Sequence, residues 1–166
     1  DHARTQAEMY AKAQRQKVED QKIDWDLSGH HYTLRQILER FLRDVEEGLI
    51  VPEGSADFKV GKNKQVRGLR RHVTTARMLL GIGIMGKNKG GFPSLLSMRL
   101  TDLTFEHFFS EDANSFSSNL LDRQGNPAGR GSVRSNVSAI KKILDHAISA
   151  WKIEFTNPIQ SLKLIG

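Results

Sequence analysis

Twelve side chains suited to holding a polyanion fall in three stretches of this chain: Lys62, Lys64, Arg67, Arg70 and Arg71; Lys87 and Lys89; and Arg134, Ser135, Ser138, Lys141 and Lys142. Lysine and arginine neutralise phosphate-like anions, and a hydroxyl among them can donate a hydrogen bond to the same oxygens. Their spacing is as informative as their type. In KNKQVRGLRRHVTTARMLLG, at 100° per residue, Val66, Leu69, Val73, Ala76 and Leu80 fall within about one third of the circumference. Lys64, Arg67, Arg70, Arg71 and Thr74 fall on the other side. In GRGSVRSNVSAIKKILDHAISAWKIEFTNP, Val133, Val137, Ile140, Ile143, Leu144, Ala147, Ile148 and Trp151 form a wide apolar stripe, with Arg134, Ser138, Lys141 and Lys142 opposite and Asp145 among them. Lys87 and Lys89 lie in the Gly-rich GIGIMGKNKGGFPS, which reads as a loop whose lysines can reach a backbone of phosphates.

Other chemistry is poorly provided for. The chain has no Cys, which excludes disulfides, thiolate metal sites and Cys nucleophiles. The histidines, His2, His30, His31, His72, His107 and His146, show no metal-ligand spacing. No serine sits in a nucleophile-elbow motif, and the Gly-rich loop lacks the GKS or GKT ending of a P-loop. Tyr10 and Tyr32 lie outside any basic cluster that would activate a phenol. No metal or cofactor site is therefore expected, and no catalytic one.

The elements that position the cations read as helices. Residues 2–23 have a sparse apolar pattern, ended by SGHH at 28–31. Thr33 is a suitable N-cap, followed by Leu34, Ile37, Leu38, Phe41, Leu42 and Val45 at helical spacing, with Gly48 as the stop. IVPEGSAD is a loop. The basic helix follows, weakened at Gly68 by about 1 kcal/mol relative to Ala. A third helix is expected from Thr104, burying some of Phe105, Phe108, Phe109, Phe116, Leu120 and Leu121. RQGNPAGRG is a turn-rich loop. Ser132 is the expected cap of the last helix, and Asn157-Pro158 its stop. No strand pattern stands out, so the expected fold is all-α, a small bundle of four to five helices.

Charge is segregated along the chain. Residues 1–57 carry a net −4, 58–101 carry ten bases and no acid, 102–122 carry five acids and no base, and 123–166 carry a net +5. Two basic blocks around an acidic one, within an overall +6, point to a polyanionic partner. The start lacks an initiator Met and an apolar signal segment, and no run approaches the roughly 18 apolar residues of a membrane span. These features suggest a piece of a longer cytoplasmic protein with no membrane partner.

Four segments, in order, resemble the N-terminal, core-site-binding (SAM-like) domain of tyrosine recombinases of the phage-integrase type. They are TLRQILERFLRDV, KNKQVRGLRRHVTTARMLL, LTDLTFEHFF and SVRSNVSAIKKILDHAISAWKIEFTNP. The resemblance covers residues 33–162, and the last segment is its most specific part. Where the family often has Arg before the fourth helix's serine motif, this chain has Asn136, with Arg134 two residues earlier. The resemblance implies one jaw of a C-shaped clamp on core-site duplex DNA. A separate catalytic domain of the same protein, bacterial or phage-encoded, forms the other jaw and cuts and rejoins strands through a phosphotyrosyl link. This chain has no HxxR motif and no C-terminal Tyr, so it is expected to be the DNA-gripping fragment and not itself an enzyme. The expected division is 1–28 as a helical extension and 29–166 as the core-binding domain. The extension either couples domains or contacts a second protomer in a homo-oligomer on DNA.

Two other classes compete. A helical protein–protein adaptor would turn the same basic faces to an acidic partner. A helix-turn-helix regulator needs a turn of about three or four residues between its helices, and IVPEGSADFKVG and RQGNPAGRG are both too long for it.

Overall fold

The computed structural model describes residues 5–15, 27–50, 62–82, 90–160 and 162, the side chains of 62–68 excepted. Among them are helices and short turns, three isolated β-bridges and no strand, consistent with an all-α fold. Residues 5–15 form α1, exposed along its whole described length. A 3-10 turn at Gly29–His31 leads to α2, Leu34–Glu46; α3 is Lys62–Leu80. Single-turn helices follow, α4 (Pro93–Leu96), α5 (Phe105–Phe108) and α6 (Phe116–Asn119), and then α7, Arg130–Ser149.

α2 begins as its sequence dictates. The Thr33 hydroxyl accepts from the Gln36 N–H (3.4 Å), and the Gln36 side chain accepts from the Thr33 N–H (2.9 Å). This reciprocal box satisfies two donors that the first turn would otherwise leave unpaired. Leu34, Ile37, Leu38 and Phe41 are buried at i, i+3, i+4, i+7. Gly48 follows the helix at φ +74°, the left-handed conformation a glycine adopts without a Cβ clash.

α3 and α7 are the two long helices and pack along each other, with α2 against both. α3 runs unbroken through Gly68. Thr75 Oγ1 donates to Asn136 Oδ1 at 2.8 Å, and His72, one turn earlier on α3, packs near Phe41 of α2, whose neighbour Arg40 covers Trp151 just past the C-terminal end of α7. Residue numbers fall on one helix as they rise on the other, so the pair is antiparallel. Around the Thr75–Asn136 bond the seam is apolar: Leu69, Ala76, Leu79, Val133, Val137, Ile140, Ile143, Leu144 and Ala147 are buried.

Three sequence expectations need correction. The helix from Thr104 is broken: Thr104 caps only the single turn of α5, and helix resumes at Phe116. Between them the Ser110 carbonyl accepts from the hydroxyls of Ser115, Ser117 and Ser118 (3.0, 3.2 and 3.0 Å), and the Asp112 carboxylate accepts from the Asn114 N–H. Short polar side chains that bond the local backbone compete with helix in this way. Phe108, Phe116 and Leu120 are still buried, so the apolar pattern located the core without locating the helix. α7 is capped by Gly129, not Ser132, which stands inside the first turn and whose carbonyl accepts from Asn136 Nδ2 (2.8 Å). Its end is Ser149, well before Pro158. Lys152 adopts φ +58°, and the Ile153 N–H turns back to the Ala147 carbonyl (3.1 Å).

The segment after α7 then lies back along the bundle. Asn157 Nδ2 donates to the Lys141 carbonyl (3.0 Å) and to Asp145 Oδ1 (2.8 Å), while its Oδ1 accepts from the Ile159 N–H (2.9 Å). The Arg40 guanidinium covers the Trp151 ring at 4.3 Å. Glu154 pairs with the chain entering the bundle: its N–H donates to the Leu27 carbonyl (2.7 Å), and its carbonyl accepts from the Gly29 N–H (2.9 Å). A Cβ on Gly29 would meet the Phe155 Cβ at 2.7 Å, so this approach requires glycine.

The polar link across α3 and α7 is testable. Asn136→Ala, which leaves the Thr75 hydroxyl buried without its acceptor, is expected to cost about 1–3 kcal/mol in urea unfolding. The Thr75→Val/Asn136→Leu pair, which removes both polar groups, is expected to cost less than the two single substitutions added together.

Candidate functional site

The antiparallel packing decides which cations end up together. α2 packs against both helices of the α3–α7 pair, and α4 against α3. Arg71 lies one turn from Thr75 on the α7 side of α3 and is exposed. On α7, Arg134 and Lys142 are exposed, and Ser135 and Ser138 are half-buried. Arg134, Ser138 and Lys142 form an i, i+4, i+8 row, with a hydroxyl between two cations. Arg71, Arg134, Ser135, Ser138 and Lys142 thus line one face.

Arg70 is exposed but turned about 100° from Arg71, toward the outer edge of α3. Arg77, seven residues on and also exposed, shares that edge. Arg77 is not among the twelve side chains singled out by type and spacing; its two-turn spacing from Arg70 is the signal that marks it. Lys62, Lys64 and Arg67 belong to the first turns of α3, but their side chains lie outside the described structure. Lys87 and Lys89 lie outside the described residues.

Lys141 is engaged differently. It is half-buried, with Nζ 2.9 Å from Asp145 Oδ2, in the cluster where Asn157 holds the other Asp145 oxygen. It ties the tail to α7, and its charge is met within the chain. The same holds on α2, where Arg35 pairs with Glu39 and both Arg40 and Arg43 approach Asp44. Among the described residues no carboxylate stands within ion-pair distance of Arg70, Arg71, Arg77, Arg134 or Lys142. Neither α3 nor α7 has an acid in its first turn.

Behind the face stands His72. It is half-buried, its ring centroid 6.4 Å from that of Phe41 on α2, and its Nδ1 is buried without a hydrogen-bond partner among the described residues. Burial first, and the Lys142 ammonium second, hold its pKa below the ordinary 6.5. Asn136, where the family often has Arg, is buried between the helices and takes no part in the exposed face.

Among the described residues no three His, Asp or Glu side chains converge on a metal-binding geometry, and no helix is long and apolar enough to cross a membrane. Comparison with protein families, with curated proteins and with solved structures found no match.

A histidine with a lowered folded-state pKa binds its proton more readily in the unfolded chain. The neutral ring is accommodated above about 6.5, and stability is lost as pH falls from there toward the folded-state value. In thermal unfolding the wild type is therefore expected to lose more Tm than His72→Gln as pH falls from about 7 to about 5. Parallel declines would contradict this account of the ring.

Proposed function

We propose that the exposed face of the α3–α7 pair grips duplex DNA, and that the chain is the core-site-binding domain of a tyrosine recombinase of the phage-integrase type. In this reading it is one jaw of a clamp completed by a separate catalytic domain of the same protein, and further copies assemble beside it on the recombining site. The observation that carries the reading is the contrast in charge pairing. Cations on α2 are met by acids of their own helix, whereas Arg71, Arg134 and Lys142, from two antiparallel helices, share an exposed face without a carboxylate partner among the described residues.

Dimensions support it. Arg134 and Lys142 are eight residues apart on α7, about 12 Å along a helix axis. The major groove of B-DNA is about 12 Å wide. Two cations at that separation can hold phosphates on both walls of the groove, with Ser135 and Ser138 between them directed at phosphate or base edges. Arg71 extends the contact along one strand. Lys141, held by Asp145, has the role of fixing the tail to α7. The bases from the first stretch of α3 and from the Gly-rich loop, Lys62, Lys64, Arg67, Lys87 and Lys89, complete the proposed set.

The test is a fluorescence-anisotropy titration with a duplex of about three helical turns at several salt concentrations. Affinity is expected to fall steeply as salt rises. In Arg134→Glu/Lys142→Glu, binding is expected to weaken by at least about tenfold and the slope to flatten by about 0.9 per lost phosphate contact. Arg35→Glu reverses a paired charge on α2 and is expected to change affinity little. Absence of binding at low salt, or equal losses from α2 and α7 reversals in folded proteins, would overturn the reading.

A further inference from the structure

We infer that Asn157, in the tail after α7, is a positioning residue for the anion-binding face: it engages the Asp145 carboxylate so that this acid does not neutralise Lys142. The inference rests on the DNA-grip reading and adds to it a determinant that itself touches no DNA.

Asp145 is the one acid in the sequence of α7. On a helix it neighbours Lys141 at i−4 and Lys142 at i−3, so either ammonium is within reach of its carboxylate. The structure shows it committed to one. Oδ2 meets Lys141 Nζ at 2.9 Å, and Oδ1 accepts from Asn157 Nδ2 at 2.8 Å. Both oxygens are thereby drawn toward Lys141 and the tail. Lys142, exposed on the next position of the helix, has no carboxylate within ion-pair distance among the described residues.

The amide is suited to this task, and the rest of the tail holds it in place. Its Nδ2 also donates to the Lys141 carbonyl (3.0 Å), and its Oδ1 accepts from the Ile159 N–H (2.9 Å). The side chain cannot turn its oxygen toward Asp145 without losing all of these bonds. Asn157 is buried, and Ile153 and Ile159 on either side of it belong to the core. Trp151 lies under Arg40, and Glu154 bonds to Leu27 and Gly29 through its backbone. The tail therefore keeps its place on anchors other than the amide, and removing the amide acts first on Asp145. A freed Oδ1 stands three residues along the helix from Lys142 and competes with a phosphate for that ammonium. Ion pairs at this spacing are weak, so the competition amounts to about a twofold loss of affinity. It is largest at low salt, where the pair is least screened.

The test is a set of anisotropy titrations with the same duplex at low salt. Asn157→Ala is introduced into the wild type, into Asp145→Asn and into Lys142→Gln. It is expected to weaken binding about twofold in the wild type and to have no effect in the other two backgrounds. A side chain that merely supports the fold would lower affinity equally in all three, and that result would overturn the inference. So would an Asn157→Ala protein that binds as the wild type does, with the DNA grip left standing. A second measurement needs no substitution of Asn157. By NMR, the Asp145 carboxyl carbon resonance is expected to move with Lys141→Gln and to stay nearly fixed with Lys142→Gln. An equal response to both would show that Asp145 already attends Lys142, and would overturn the positioning role without reference to DNA. Failure of the wild type to bind the duplex would overturn the grip, and the positioning role with it.

Discussion

The antiparallel seam between α3 and α7 is the constraint on which the rest of the structure depends. It is mostly apolar, and such seams set how strongly two helices associate more than how they align. The Thr75–Asn136 hydrogen bond supplies a fixed point within it. A buried hydroxyl and a buried amide oxygen are costly when unmet, so sliding one helix along the other would forfeit the bond and leave the Thr75 hydroxyl and Asn136 Oδ1 without each other, while Asn136 Nδ2 keeps the Ser132 carbonyl. With the register fixed, α2 packs against both helices, and Arg71, Ser135, Ser138 and Lys142 share one face of the pair. The position where the resembling family often carries arginine here serves packing.

A second cluster separates structural charge from available charge. Asp145 is shared between Lys141 and Asn157, and Asn157 also holds the Lys141 carbonyl and the Ile159 N–H. Lys141 and Lys142 are adjacent in sequence and differ in environment: one is half-buried and paired, the other exposed. The helical offset of about 100° between neighbours is sufficient cause. The tail thereby becomes part of the bundle, and through Glu154 it meets the residues that enter it at Leu27 and Gly29.

Much of this was legible in the sequence. The all-α class, α2 with its Thr33 cap and Gly48 stop, the length of α3 and the apolar stripe of α7 followed from periodicity and capping chemistry. Three things were not. The break between α5 and α6 depends on serine side chains turning to the Ser110 carbonyl, a choice that periodicity over the phenylalanines does not report. α7 ends at Ser149, and the chain turns back at a non-glycine residue in the left-handed region, Lys152, which carries no stop signal of its own, whereas the Asn157-Pro158 signal lies well downstream. Within the candidate site, the sequence grouped the cations by helix face but could not tell paired from unpaired ones. That distinction required Asp145 and Asn157 to be placed in space, and it moves the weight of the site from Lys141 to Lys142 and brings Arg77 into view.

The most direct test of the DNA grip is a chemical-shift map of the isotopically labelled chain on addition of duplex DNA. The account predicts that the largest amide perturbations fall on the exposed sides of α3 and α7, around Arg71, Arg134, Ser135, Ser138 and Lys142, and that α2 and residues 102–122 change little. Perturbations concentrated on α2 or on the acidic stretch, or no perturbation at low salt, would contradict it.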